Sequence, residues 1–264
     1  MNAFDFHRPT STADALGLLG RASDGRLIAG GQSLLPAMKL GLAAPSDLID
    51  LAGIAALRGI SAQADTISIG AMATHAEVAG SAVVRSMIPS LAALADGIGD
   101  QQVRALGTIG GSLANNDPAA CYPSAVLALK GTVRTNRRSI AADDFFTGIY
   151  QTALDTDELI EAVSFAKPLA AAYIKFRQPA SHYALVGVFV ARFSDGVRVG
   201  VTGCAAHAFR VPALEQALSA NWSAAAARGV RVDASDLNSD LHASAAYRAH
   251  LIPVLAARAV EAAR

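Results

Sequence analysis

Two stretches of this chain place glycines side by side: IAGGQSLLPAMKL at 28–40 and LGTIGGSLANNDPAA at 106–120. In each, an apolar run read as a strand leads into the pair and a small polar residue follows it. Two residues without side chains at the end of a strand make either an ordinary tight turn or a place where a ligand can approach the main chain. When successive N–H groups converge in such a turn they form a concave nest of positive potential. Each charge-assisted hydrogen bond from it contributes roughly 1.5–3 kcal/mol. Two pairs of the same design, with Ser33 and Ser112 just beyond them as hydroxyl donors, favour a site for phosphate or pyrophosphate. The formal net charge of the chain is zero. Such an anion must therefore be held locally, and no long-range field recruits nucleic acid or an anionic membrane.

Several other chemistries are excluded by spacing. Neither stretch reads G-x-G-x-x-G and no G-x-x-x-x-G-K-[ST] occurs, so a dinucleotide bound here does not rest on a Rossmann unit. None of the six histidines shows H-x-x-x-H spacing and no C-x-x-C accompanies them, which leaves no metal motif. Without a G-x-S-x-G elbow, Ser33 and Ser112 are poor acyl-transfer nucleophiles. The two cysteines, Cys121 and Cys204, are too few for a disulfide framework or for an iron–sulfur cluster, which takes about four thiolates. They read as reduced thiols in a cytoplasmic protein. The N-terminal stretch lacks a signal-peptide pattern, and no run reaches the ~18 apolar residues of a membrane span.

The 52% hydrophobic content provides for a sizeable core in an α+β chain. A helix is expected within 10–22, capped by Ser11 or Thr12, with strands at GRLIAGG, running into the first glycine pair, and SDLIDL completing a strand–helix–strand–strand unit. Residues 57–74 read as a hairpin turning at Gln63-Ala64-Asp65, with Ile67 and Ile69 on one face. The next 25 residues read as helix in pieces, broken near Gly80 and at Pro89. A helix through PSAVLALK, a strand GTVRTN and one more strand ending near Phe165 follow the second glycine pair. Beyond Lys167 the character changes to three strands, the last two joined at Ser194-Asp195-Gly196, and an alanine-rich helical tail. A domain boundary is placed at 167, with subdomains of about 1–55 and 56–167 before it and a C-terminal domain over 168–264.

The two glycine stretches, together with FDFHRPTSTADAL, GAMATHAEV, DDFFTGIYQTAL and YRAHLIPVLAARAVEAA in the same order, resemble the FAD-binding medium subunit of the molybdenum hydroxylases, the xanthine and carbon monoxide dehydrogenase family. The resemblance implies a two-subdomain FAD-binding fold of the vanillyl-alcohol-oxidase (PCMH) type, followed by a smaller α+β domain with a three-stranded antiparallel sheet and helices. By the same resemblance, Ala29, Gly30, Gly31, Gln32 and Ser33 form one pyrophosphate loop, flanked by Ile28 and Leu34. Thr108, Ile109, Gly110, Gly111 and Ser112 form the other. Ile98 matches an apolar position against the cofactor, Tyr183 an aromatic near the flavin ring, and Lys175 a basic position nearby. Gln32 stands where the family commonly has histidine. Cys121 stands where many relatives carry an aspartate that contacts FAD, and Asp117 or the Asn115-Asn116 pair is the substitute candidate.

For the remaining polar residues two readings stand side by side. His75 approaches the cofactor or simply begins a helix; His182 lines the flavin edge or is a surface residue. Asp143-Asp144 reads as a solvated loop and Arg137-Arg138 as an exposed strand end. The function implied by the resemblance is electron transfer through FAD. Electrons arrive from a small iron–sulfur subunit, which draws them from a large molybdenum-cofactor subunit, and leave to NAD, a quinone, oxygen or another acceptor. No residue of this chain needs to be a general base. Alternatives are a stand-alone FAD-dependent reductase of similar fold and a flavin-free assembly subunit, the latter favoured only by Cys121.

Overall fold

The computed structural model describes residues 2–264. It opens with β1 (Asp5–His7), α1 (Thr12–Leu19), β2 (Gly25–Ile28), α2 (Leu34–Lys39) and β3 (Asp47–Asp50), the strands forming a parallel sheet in the order β1-β3-β2. Ser11 caps α1 by accepting from the Asp14 amide at 3.1 Å, as a short hydroxyl side chain at that position should. The expected strand–helix–strand–strand unit gains a helix, because α2 intervenes between β2 and β3. Pro36 falls in its first turn, where a missing N–H leaves no intrahelical bond unmade.

Next come β4 (Ile60–Gln63) and β5 (Thr66–Gly70), turning through Ala64 at φ 49°. Three short helices follow: α3 (His75–Gly80), α4 (Ala82–Met87) and α5 (Pro89–Asp96). Their breaks have local causes, since Ser81 caps α4 and Pro89 opens α5. Then come α6 (Gln101–Leu106), α7 (Ile109–Asn115), α8 (Tyr122–Ala128), β6 (Thr132–Thr135), β7 (Ser139–Ala141), α9 (Ala142–Phe145), the hairpin β8 (Phe146–Gly148) and β9 (Gln151–Thr152), and β10 (Ile160–Ala166). The second sheet is antiparallel, in the order β4-β5-β10-β6-β7. Ile67 and Ile69 are fully buried in it, as their alternation predicts.

The remainder is β11 (Ala170–Arg177), β12 (Ala184–Phe193), β13 (Gly196–Thr202), β14 (Phe209–Arg210), α10 (Pro212–Ala220), α11 (Ala224–Arg228) and α12 (Ala245–Ala262). Its sheet has four strands, not the three expected; β14 is two residues long and offers no alternation to read. Arg248 of α12 is buried and donates to the carbonyls of Leu185 and Gly203, both at 2.7 Å, which fastens the helix to the sheet. The largest apolar core lies between the second sheet and α3–α8, and continues into Phe189 and Ala191 of β12. No helix among the described residues is long and apolar enough to cross a membrane.

Candidate functional site

The first glycine pair follows β2 and precedes α2. Gly31 has φ +69°, a left-handed conformation that a side chain makes costly. Gly30 is required for a different reason: a Cβ there would fall onto the Leu106 carbonyl oxygen and within 2.6 Å of the Gly107 Cα. The two glycine stretches thus pack main chain against main chain. From Gly30 to Leu34 no backbone N–H finds an acceptor among the described residues, so five successive amides are open to a ligand. Gln32 turns its side chain back, donating from Nε2 to the Gly30 carbonyl at 3.1 Å, and braces this loop.

The second pair is not preceded by a strand. Gly110 and Gly111 lie in the first turn of α7, which Thr108 caps by accepting from the Gly111 amide at 3.1 Å. Gly110 lacks a side chain because one would strike the Ala71 Cβ at 2.6 Å and its carbonyl oxygen at 2.7 Å. The amides here are already used. Ile109 donates to Ala73, Gly110 to Ala71 and Ser112 to the Thr108 carbonyl. A twin cradle of free amides, expected from the repeated sequence, therefore reduces to one cradle in the first stretch. The second contributes a close wall, with Ala29 3.4 Å from where a Gly111 Cβ would stand.

Between the two stretches runs a cleft of about 660 Å³, within the ~300–1,000 Å³ range of small-molecule and cofactor sites. Ile28 to Leu34, Thr108, Gly110, Gly111 and Ser112 line it, and so do Ile98, Asp117, Lys175 and Tyr183. Ile109 does not; its side chain is fully buried in the core. The loop bearing Ile98 is held by two cations. Lys175 Nζ donates to the Gly97 carbonyl at 2.7 Å, and Arg104 Nη1 to those of Ile98 at 3.0 Å and Gly99 at 3.3 Å. Asp117 accepts from the Ala119 amide at 2.8 Å. Tyr183 is half-exposed at the rim, and its phenol is pushed up by burial and then by the charge of Asp117, so it remains a neutral donor.

Other lining residues complete the picture. His75 is the first residue of α3, and it also lines the cleft while only 5% exposed. Burial, then the charge of Arg104, lowers its pKa to about 4, so its imidazole is neutral at physiological pH. Its Nδ1 is buried without a partner among the described residues. His182 is exposed and also lines the cleft. Cys121 faces the cleft with its Sγ 3.5 Å from Lys175 Nζ, a contact between residues 54 apart that no local pattern announces. Of the Asn115-Asn116 pair, Asn115 lines the cleft, whereas Asn116 is fully buried and its Nδ2 holds the carbonyls of Gly148 and Gln151 in the β8–β9 hairpin.

Glu158, unremarked in the sequence, forms part of the wall with Leu159 and Ile160. Arg138 binds it through Nε and Nη2, both at 2.9 Å, Thr135 Oγ1 donates at 2.7 Å, and the Asp155 amide donates at 3.0 Å. Arg138 is thus a structural ion-pair residue, while Arg137 pairs with Asp155 and Asp157 near the surface. Asp143 is likewise not a free loop carboxylate, since Arg198 and Arg210 both bind it.

Residues 2–168 match the family model described as the FAD binding domain in molybdopterin dehydrogenase. The nicotine 6-hydroxylase medium subunit of Paenarthrobacter nicotinovorans is 37% identical over 98% of this chain and 96% of its own length. The carbon monoxide dehydrogenase medium chain of Afipia carboxidovorans is 33% identical over 99% and 97%. Among solved structures, carbon monoxide dehydrogenase from Hydrogenophaga pseudoflava superposes with a TM-score of 0.87 at 34% identity, covering 98% of this chain and 96% of that one. Quinoline 2-oxidoreductase from Pseudomonas putida 86 gives 0.89 at 29% identity, covering 98% and 96%. With fold, cleft and sequence in agreement along nearly its whole length, the chain belongs to the FAD-binding medium subunits of the molybdenum hydroxylases, a family of oxidoreductases.

Proposed function

We propose that this chain binds one FAD in the cleft between the two glycine stretches and passes electrons through it within a multi-subunit molybdenum dehydrogenase. The observation that carries the reading is the run of open amides from Gly30 to Leu34, set against a wall that only glycines allow to come so near. Those amides, with the hydroxyls of Ser33 and Ser112, suit a diphosphate. The apolar side chains of Ile28, Leu34 and Ile98 and the ring of Tyr183 suit the flat, largely apolar remainder of the cofactor.

Bound FAD supplies the redox chemistry, accepting and releasing electrons. The chain's own residues bind and orient it, and Tyr183 offers a neutral phenol at the rim. The two-subdomain PCMH arrangement, with divisions near 55 and 167, belongs to the same proposal. It is supported by the separate small core under the parallel sheet and by the family match that stops at 168. Iron–sulfur clusters and the molybdenum cofactor reside in small and large partner subunits, and NAD, a quinone or oxygen takes up the electrons. A cytoplasmic location accords with the two free, buried cysteines.

Purified protein incubated with FAD and then desalted should keep a visible flavin absorption band at about one equivalent. A colourless protein would leave the assembly-subunit reading in its place.

A further inference from the structure

Among the described residues, Lys175 is the cation that lines this cleft without a carboxylate in ion-pair contact. Its Nζ has two partners, the Gly97 carbonyl at 2.7 Å and the Cys121 thiol at 3.5 Å. None of the carboxylates of the lining forms an ion pair with it. Arg26 pairs with Asp24 at 3.2 Å, Glu158 is bound by Arg138, Asp100 caps α6, and Asp117 accepts a backbone amide. Lys175 is partly buried, where water screens a charge less than it does at an open surface. An aspartate at position 121 would place a carboxylate against Nζ, where the thiol now stands at 3.5 Å, and cancel most of that charge. A thiol leaves it standing.

We propose that Lys175, left uncompensated by Cys121, makes this cleft hold the reduced, more negative form of its flavin more tightly than the oxidised form. The inference rests on the FAD reading above. Two-electron reduction with uptake of a single proton leaves a flavin one charge more negative, so a fixed cation in the cleft favours that state. A difference in affinity between two states of a ligand shifts the equilibrium between them by the same amount. Lys175 therefore raises the midpoint potential of the bound cofactor, and with it the drive to draw electrons from a donor.

The test is a spectroelectrochemical titration of the full chain loaded with FAD, with Kd measured for the oxidised cofactor. Lys175→Gln and Cys121→Asp should each lower the reduced-over-oxidised affinity ratio at least tenfold, which for a two-electron couple is about 30 mV toward more negative potential. Cys121→Asn, similar in shape to aspartate but neutral, should leave the ratio as it is. Cys121→Asp keeps Lys175 on the Gly97 carbonyl, so it reads charge even if Lys175→Gln loosens the 97–99 loop. FAD retained by both charge variants with an unaltered ratio overturns this inference alone. FAD absent from the wild-type chain overturns the underlying reading and this one with it.

Discussion

Gly30 and Gly107 touch through their backbones: a Cβ on Gly30 would stand 2.6 Å from the Gly107 Cα. Neither the Leu106–Gly107 segment nor β2 can retreat without disturbing its own hydrogen bonds. Gly30→Ala should therefore destabilise the protein by about 1–3 kcal/mol, the range of overpacking changes, and abolish FAD retention. Urea unfolding and flavin content report the two effects together.

Gly31 and Gly111 separate those effects. A Cβ on Gly31 meets the end of the Leu35 side chain at 2.9 Å, and one on Gly111 meets the Thr108 hydroxyl at 2.9 Å. Neither neighbour at that distance is main chain. Valine at Gly111 should leave the fold largely formed, and valine at Gly31 should cost about 1–3 kcal/mol of backbone strain at φ +69°, while both remove FAD retention, as read by circular dichroism and flavin absorbance. Gly110→Val should behave differently and unfold the chain, because its neighbour is the backbone of Ala71.

The Arg138–Glu158 pair predicts an acid limb. Arg138 and its partners hold the Glu158 carboxyl down to about 2, from an ordinary 4.5. The stabilisation is complete above pH 4.5 and is lost as pH falls toward 2. Arg138→Ala strands a buried carboxylate and should cost about 2–3 kcal/mol at neutral pH. It should also flatten the stability profile between pH 4.5 and 2, measured by denaturant titrations across that window.

His75 acts in a higher window. Its folded value of about 4 lies below the ordinary 6.5, so the unfolded chain takes up the proton first. Stability should fall as pH drops from 6.5 toward 4, by up to roughly 3 kcal/mol if the whole shift is realised. His75→Gln should remove that slope. The same titrations with and without the substitution decide it.

FAD itself should stabilise the chain by about 2.7 kcal/mol at a hundredfold excess over its Kd, because it binds only the folded state. For a chain of this size that is a rise in Tm of roughly 5–10 °C. A melting curve indifferent to FAD would contradict the cleft assignment.

Which features were legible depended on range. The first glycine loop could be read because β2 precedes it as a short apolar strand and Gly31 takes a conformation that other residues avoid. The second was misread because Ile109 beside two glycines resembles a strand end, whereas Thr108 makes it a helix start. Its satisfied amides depend on Ala71 and Ala73, more than thirty residues earlier, and local pattern is silent on such partners. The helix α6 carries its own cap at Asp100 but is only one and a half turns long, and β8, β9 and β14 are shorter still. The pairing of Arg138 with Glu158 and the approach of Lys175 to Cys121 belong to tertiary structure, and no spacing rule foretells them.

The cleft wall does not end where the family match ends. Lys175 and Tyr183 come from beyond residue 168, on β11 and just before β12. A gene fragment truncated at that point would encode the Gly30–Leu34 loop without the opposite side of its cleft. Recombination that exchanged the C-terminal third between relatives would thus trade away part of the cleft wall, and the two halves are expected to travel through evolution as one inherited unit.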